Sequence, residues 1–228
     1  MVKIKIYKKM TTKKTKITRD NIVSMYMKYT LENNEKPKSV YQFTKTNGFS
    51  ESEFYNFFGT LDSIEKEIFN LFLSKTLELV NKDPNYASYD MKSKLLSFYF
   101  TFFELLAANR SYVIASLTEN KNQLKNLIQL SSLRTNFKNF IAEITSDENL
   151  IQQEKIKEIQ QKAVQESAWI QLLFTLKFWI EDSSANFEKT DVFIEKSVKL
   201  SYELMNTTPL NSLFDFGKFI YKEKIQQN

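Results

Sequence analysis

Between Ser39 and Phe58 a single glycine, Gly48, separates two short stretches of helical apolar spacing, and this arrangement limits what the chain can build. Val40 and Phe43 stand three apart, as on the buried face of a short helix. Gly48 interrupts that spacing where a tight turn needs a residue that accepts positive φ. Ser50 can then cap a second short helix, and Glu53 three residues later completes a Ser-x-x-Glu capping box. Phe54, Phe57 and Phe58 are expected to form the inner face of this helix, leaving Ser52, Tyr55 and Asn56 outward. Two short helices joined through a glycine make a helix-turn-helix, the unit whose second helix enters the DNA major groove.

The residues around this pair point the same way. Thr18 can cap a preceding helix, with Asp20 in its first turn and Ile22, Met25, Tyr26 and Tyr29 facing inward. Thr60 or Asp62 opens a longer helix that Asp83-Pro84-Asn85 stops. The chain has three Gly and three Pro in 228 residues and no strand-type alternation, so an all-α protein is the economical reading.

At this point the sequence resembles a known family. Gly48-Phe49-Ser50, then Phe54-Tyr55-x-x-Phe58 followed by Thr60, is similar to the Gly-Val-Ser, Phe-Tyr-x-x-Phe, Ser signature of TetR-type transcriptional regulators. The resemblance covers roughly residues 17 to 80. It departs from the family pattern at Thr44, Asn47, Ser52, Glu53 and Leu61, the last standing where the family has a phosphate-contacting lysine.

The resemblance implies a three-helix N-terminal helix-turn-helix domain over residues 17–62 and a larger helical effector-binding and dimerisation domain over 63–228. A basic arm over 1–16 precedes them. DNA contacts are implied for Ser39, Tyr41 and Lys45 on the first short helix, for Ser50, Glu51, Ser52, Tyr55 and Asn56 on the second, and for Thr60 beyond it. A carboxylate can accept from a cytosine amino group, so Glu51 can read a base, while Glu53 has the structural task of the capping box.

The charge distribution is uneven. The chain carries +5 overall, but Lys3, Lys5, Lys8, Lys9, Lys13, Lys14, Lys16 and Arg19 fall in the first 19 residues with no acid among them. The other 209 residues therefore carry −3. A lysine-rich arm beside a helix-turn-helix suits phosphate or minor-groove contact; its plain alternative is a solvated tail.

The larger part of the chain is a series of apolar helices. Asp90 to Ala108 is the most aromatic, and Arg110 to Glu119 is a short connector. Leu124, Leu127, Leu133, Phe137, Phe140, Ile141 and Ile144 mark one inner stripe, and Asp147 can cap the next helix. Ala168 to Ile180 is dense in large apolar residues, Asp191 opens a further helix, and an amphipathic segment runs from Leu210 to about Lys224.

By resemblance, Phe98, Phe102, Glu104, Phe137 and Phe174 are candidates to line a pocket for a small apolar or amphipathic effector. The two helices around Ala168–Ile180 and Asp191–Met205 resemble the family's dimerisation pair. Trp169, Leu173, Leu176, Ile194, Val198 and Met205 are the candidate contacts of a homodimer. The plain alternatives are a filled core and one large monomer. A two-fold dimer would offer two reading helices to a pseudo-palindromic operator on double-stranded DNA.

Several function classes lose support. Without Cys or His the chain lacks thiol nucleophiles, disulfides, His-based acid–base catalysis and most zinc sites, and no metal or cofactor is expected. The greasiest runs, Leu95 to Ala108 and Ala168 to Ile180, are short and carry Glu104 and Lys177, so no membrane insertion is expected. The lack of Cys and of an apolar leader fits a cytoplasmic protein. The reading is a dimeric, ligand-responsive repressor-type regulator and not an enzyme. The alternative is a TetR-shaped protein without specific DNA binding that acts as a lipid, small-molecule or protein-binding module, with Glu51, Glu53 and Leu61 in its favour.

Overall fold

The computed structural model describes residues 16–119, 126–146 and 154–206, and every regular element among them is helical. The all-α expectation therefore holds for the described residues. The chain divides into two compact units, with the boundary between Ile64 and Glu65.

The first unit holds α1 (Arg19–Asn33), α2 (Val40–Asn47), α3 (Glu51–Tyr55) and the first residues of α4 (Leu61–Val80). Each start is fixed by a side chain. The Thr18 hydroxyl accepts from the Asn21 amide at 3.2 Å, and Ser39 accepts from Gln42 at 3.1 Å. Ser50 accepts from the Glu53 amide at 3.3 Å while the Glu53 carboxylate accepts from the Ser50 amide at 2.9 Å, so the expected capping box is formed. Thr60 and Ser63 exchange hydrogen bonds in the same way at the start of α4. Such caps contribute about 1 kcal/mol each by satisfying amides the helix leaves unpaired.

The turn between α2 and α3 depends on Gly48. Its φ is 74°, the left-handed region. The Phe49 amide reaches back to the Thr44 carbonyl at 3.1 Å and the Gly48 amide to Lys45 at 3.4 Å, a Schellman ending. Phe43 is the hub of the small core. It meets Tyr26, Tyr29, Phe49 and Phe54 edge-on, with centroids 5.7 to 6.3 Å apart. Edge-to-face rings add to the area they bury, so this cluster holds three short helices that could not persist alone.

Two expectations in this unit change. Val23 is buried on α1, whereas Met25 is only half-buried. Phe57 is exposed, because α3 ends at Tyr55 and helical spacing no longer governs the residues after it. Phe54 and Phe58 do face inward.

In the second unit, α4 from Glu65 onward buries Ile68, Phe69, Phe72 and Leu73. It is followed by α5 (Met91–Ala108), α6 (Arg110–Thr118), α7 (Ser131–Ile144), α8 (Glu154–Glu181) and α9 (Glu188–Asn206). Phe98 on α5 stacks on Phe102 at 5.4 Å and lies 5.3 and 4.9 Å from Phe137 and Phe140 of α7. Arg134 and Lys138 of α7 both grip Glu166 of α8, at 2.8 and 2.6 Å. Hydrogen bonds from Lys138, then Arg134, hold the Glu166 carboxyl below its usual range.

Leu127 is exposed, not part of the inner stripe, and a 3₁₀ turn at Ile128–Leu130 precedes α7. The final described helix begins at Glu188, with Asp191 inside its first turn. The basic arm up to Thr15, Leu124, the Asp147 cap and the segment from Leu210 to Lys224 lie outside the described residues. No described helix is long and apolar enough to cross a membrane.

Candidate nucleic-acid interface

Most of the residues singled out around the glycine turn are exposed on the first unit. Tyr41 and Lys45 are exposed on α2, one turn apart, and the Lys45 ammonium lies 5.4 Å from the centre of the Tyr41 ring. That cation–π contact directs a long, otherwise free-swinging cation. On α3, Ser52 and Tyr55 are exposed, and Asn56 follows at its end. Tyr55 is 53% exposed although its ring meets that of buried Phe54 at right angles, with centroids 5.4 Å apart. A rigid core residue therefore sets the direction of an exposed aromatic.

Three of the candidate hydroxyls also have local duties. Ser39 caps α2, Ser50 caps α3 and Thr60 caps α4. The Ser50 hydroxyl also lies 3.0 Å from that of Ser52. Glu51 is half-buried in the first turn of α3, where a carboxylate complements the helix dipole. Phe57 was missed as a surface group; it adds a third exposed ring to Tyr41 and Tyr55.

Electrostatics divide this unit from the segment before it. Residues 16 to 64 contain six basic and six acidic side chains, so they carry no net charge. The six lysines before residue 15 are the only unbalanced cations near this end of the sequence. Phosphate attraction that scales with neutralised charges would then depend on that segment rather than on α2 and α3.

The candidate effector residues are not assembled as the resemblance implied. Phe98, Phe102 and Phe137 are buried, with Phe98 packed on the other two, and they line neither of two hollows in the second unit. Glu104 faces solvent, as the ordinary place for a charge predicts. Phe174 is 61% exposed and lines a broad hollow of about 450 Å³ with Leu117, Leu127, Ile170 and Lys177. A separate cavity of about 220 Å³ lies among α5, α7, α8 and α9, lined chiefly by Leu95, Ile141, Val164, Ala168, Val198 and Met205.

The dimer candidates need a similar correction. Trp169, Leu176, Ile194 and Val198 are buried inside the protomer's own core and are not available to a partner. Leu173 and Met205 are half-buried and line the broad hollow and the narrower cavity respectively. The apolar side chains these two helices expose are instead Ile170 and Phe174 on α8 and Val192, Leu200 and Leu204 on α9. Gln171 bonds to Ser197 and Ser201 across the seam between the helices. Phe174 and Leu200 each stand three residues from a member of that seam, so the exposed groups flank it.

The model of the Tetracyclin repressor-like C-terminal domain matches residues 94–220, more than half of the chain. No curated protein matches it. With a second unit whose described elements are all helical under that match, the chain belongs to the TetR family of regulators.

Proposed function

We propose that the chain acts as a dimeric, ligand-responsive transcriptional repressor that reads double-stranded DNA with α2 and α3. The observation that carries this reading is the row of exposed side chains on a rigid support. Tyr41, Lys45, Ser52, Tyr55 and Asn56 project from two helices whose ends are capped and whose inner rings lock on Phe43. Lys45 and Tyr41 would meet phosphates, and Ser52, Tyr55 and Asn56 base edges and sugars, with Glu51 accepting from a cytosine amino group. The hydroxyls of Ser39, Ser50 and Thr60 would add backbone contacts beside their capping roles. The lysine-rich start of the chain would supply most of the counterion release.

Dimerisation would use the outer faces of α8 and α9, through Ile170, Phe174, Leu200 and Leu204. Exposed apolar side chains grouped in this way mark an interaction surface. A small apolar effector in the cavity among α5, α7, α8 and α9 would favour one placement of the two reading helices. Operator affinity would fall because their spacing no longer matched the groove repeat.

The charge neutrality of residues 16–64 favours one second reading, a family member that binds partners without reading DNA. Footprinting of the purified full-length protein on the DNA upstream of its own gene decides between them. The regulator reading expects two protected half-sites one or two helical turns apart, with protection reduced when residues 1–16 are deleted. Uniform or absent protection at low salt would reject it.

A further inference from the structure

We propose that the cavity among α5, α7, α8 and α9 is a site for an unbranched aliphatic molecule ending in a neutral hydroxyl group. This deepens the effector reading above, and rests on it only for the regulatory consequence of binding.

The first observation is an orphaned acceptor. Gln160 lines the cavity and is 5% exposed, and its Oε1 accepts no hydrogen bond. A buried amide oxygen left without a donor is costly, and a ligand hydroxyl placed in the cavity would supply the missing proton. The neighbouring Thr145 hydroxyl cannot do so while it donates to the Ile141 carbonyl at 2.7 Å. Among the described residues, Lys92 is the one charged side chain in the lining. A hydroxyl donates once and accepts through two lone pairs, so it can donate to the Gln160 oxygen and still accept a hydrogen bond itself. A carboxylate offers the Gln160 oxygen nothing to accept.

The second observation is the rest of the lining. Gln171 also borders the cavity, but its amide is committed to Ser197 at 3.2 Å and Ser201 at 2.8 Å. The remaining wall is largely aliphatic, from Leu95, Ile141, Val164, Ala168 and Val198. One end of the lining therefore asks for a donor, and the rest asks for hydrocarbon.

The third is shape. Gln160 and Gln171 are eleven residues apart on α8, which is roughly 16 Å of helix rise. Lining residues between them recur at helical spacing, at Ala163, Val164, Ser167 and Ala168. About 220 Å³ spread along that stripe makes a slender space. Scaled from a cavity of about 150 Å³ that holds benzene, it takes about nine heavy atoms. A chain fits that volume along the stripe better than a compact ring of equal size.

Calorimetry of the full-length protein with n-octanol, octanoate and cyclooctanol tests this. The expected result is one saturable n-octanol site per chain, with octanoate and cyclooctanol at least roughly tenfold weaker. Ala168→Phe, which fills the cavity, should abolish binding in a protein of unchanged circular dichroism. Gln160→Leu provides a second test should that variant misfold, and should remove the preference for n-octanol over octanoate. Absence of saturable binding, tighter binding of octanoate or cyclooctanol, or n-octanol binding that survives Ala168→Phe would each overturn the proposal. Octanol binding that leaves operator affinity unchanged would support the site while rejecting the regulatory reading.

Discussion

The guanidinium of Arg110 lies 4.4 Å from the Trp179 ring and donates to the Trp179 carbonyl at 3.0 Å. It donates further to the carbonyls of Ile180 and Asp182, at 3.1 and 3.2 Å, and lies 4.5 Å from the centre of the Phe187 ring. One cation thus supplies donors to carbonyls at and just beyond the end of α8, where the helix leaves them short of amide partners, and complements the dipole there. Phe187 reaches its place through a positive φ of 60°, an uncommon conformation for a residue with a side chain. Arg110→Ala should lower unfolding free energy by roughly 2–3 kcal/mol in urea denaturation. Arg110→Lys should recover little, because an ammonium cannot present the same planar fork.

Asp182 ties the same corner together. Its carboxylate accepts from the amide and hydroxyl of Ser184 and from those of Thr190, the latter in the first turn of α9. Burial would push its carboxyl up, but the bonds from Ser184 and Thr190 outweigh that and hold it well below the usual range. With a folded value below the unfolded one, its stabilisation is full above about pH 4 and is lost as pH falls toward the folded value. Thermal melts should show Asp182→Asn less stable than the parent near neutrality, with the gap closing in acid. A gap that stays constant on acidification would contradict this.

Gly48 tests the turn between α2 and α3. A Cβ built there meets nothing within 4 Å, so any penalty comes from the backbone at φ +74°. Gly48→Ala should therefore cost about 1–2 kcal/mol, and Gly48→Asn less, since Asn tolerates that region. Chemical denaturation of the two variants beside the parent measures the difference.

Phe174 and Trp169 separate assembly from folding. Phe174→Glu, at an exposed position, should shift the protein toward monomer in sedimentation while leaving its helical content unchanged. Trp169→Ala, at a buried position, should instead destabilise the protomer by about 3–5 kcal/mol. A Phe174→Glu protein with the parent's sedimentation profile would remove that face from the interface.

The first unit was legible in the sequence because its signals are local. Gly48, Ser50 and Glu53 act on amides and carbonyls within five residues, and each does what its position predicted. The phase of α8 was not legible. From Ala168 to Ile180 large apolar residues occur on all sides, so periodicity could not distinguish buried Trp169 and Leu176 from exposed Ile170 and Phe174. Phe57 was misread for a different reason: three phenylalanines continued an apparent stripe past the point where α3 stops. The cavity was hidden because Gln160 and Lys92 lie on helices far apart in sequence, and only the packing of the second unit brings both to its lining.

Tyr55 is the most direct test of the DNA-reading account. Fluorescence anisotropy with the footprinted operator should show Tyr55→Ala binding at least roughly tenfold more weakly than the parent at the same salt concentration. Circular dichroism and sedimentation of the two proteins should coincide, because the Tyr55 side chain lies largely outside the core. Operator affinity equal to the parent's, in a folded Tyr55→Ala protein, would mean that α3 does not read DNA.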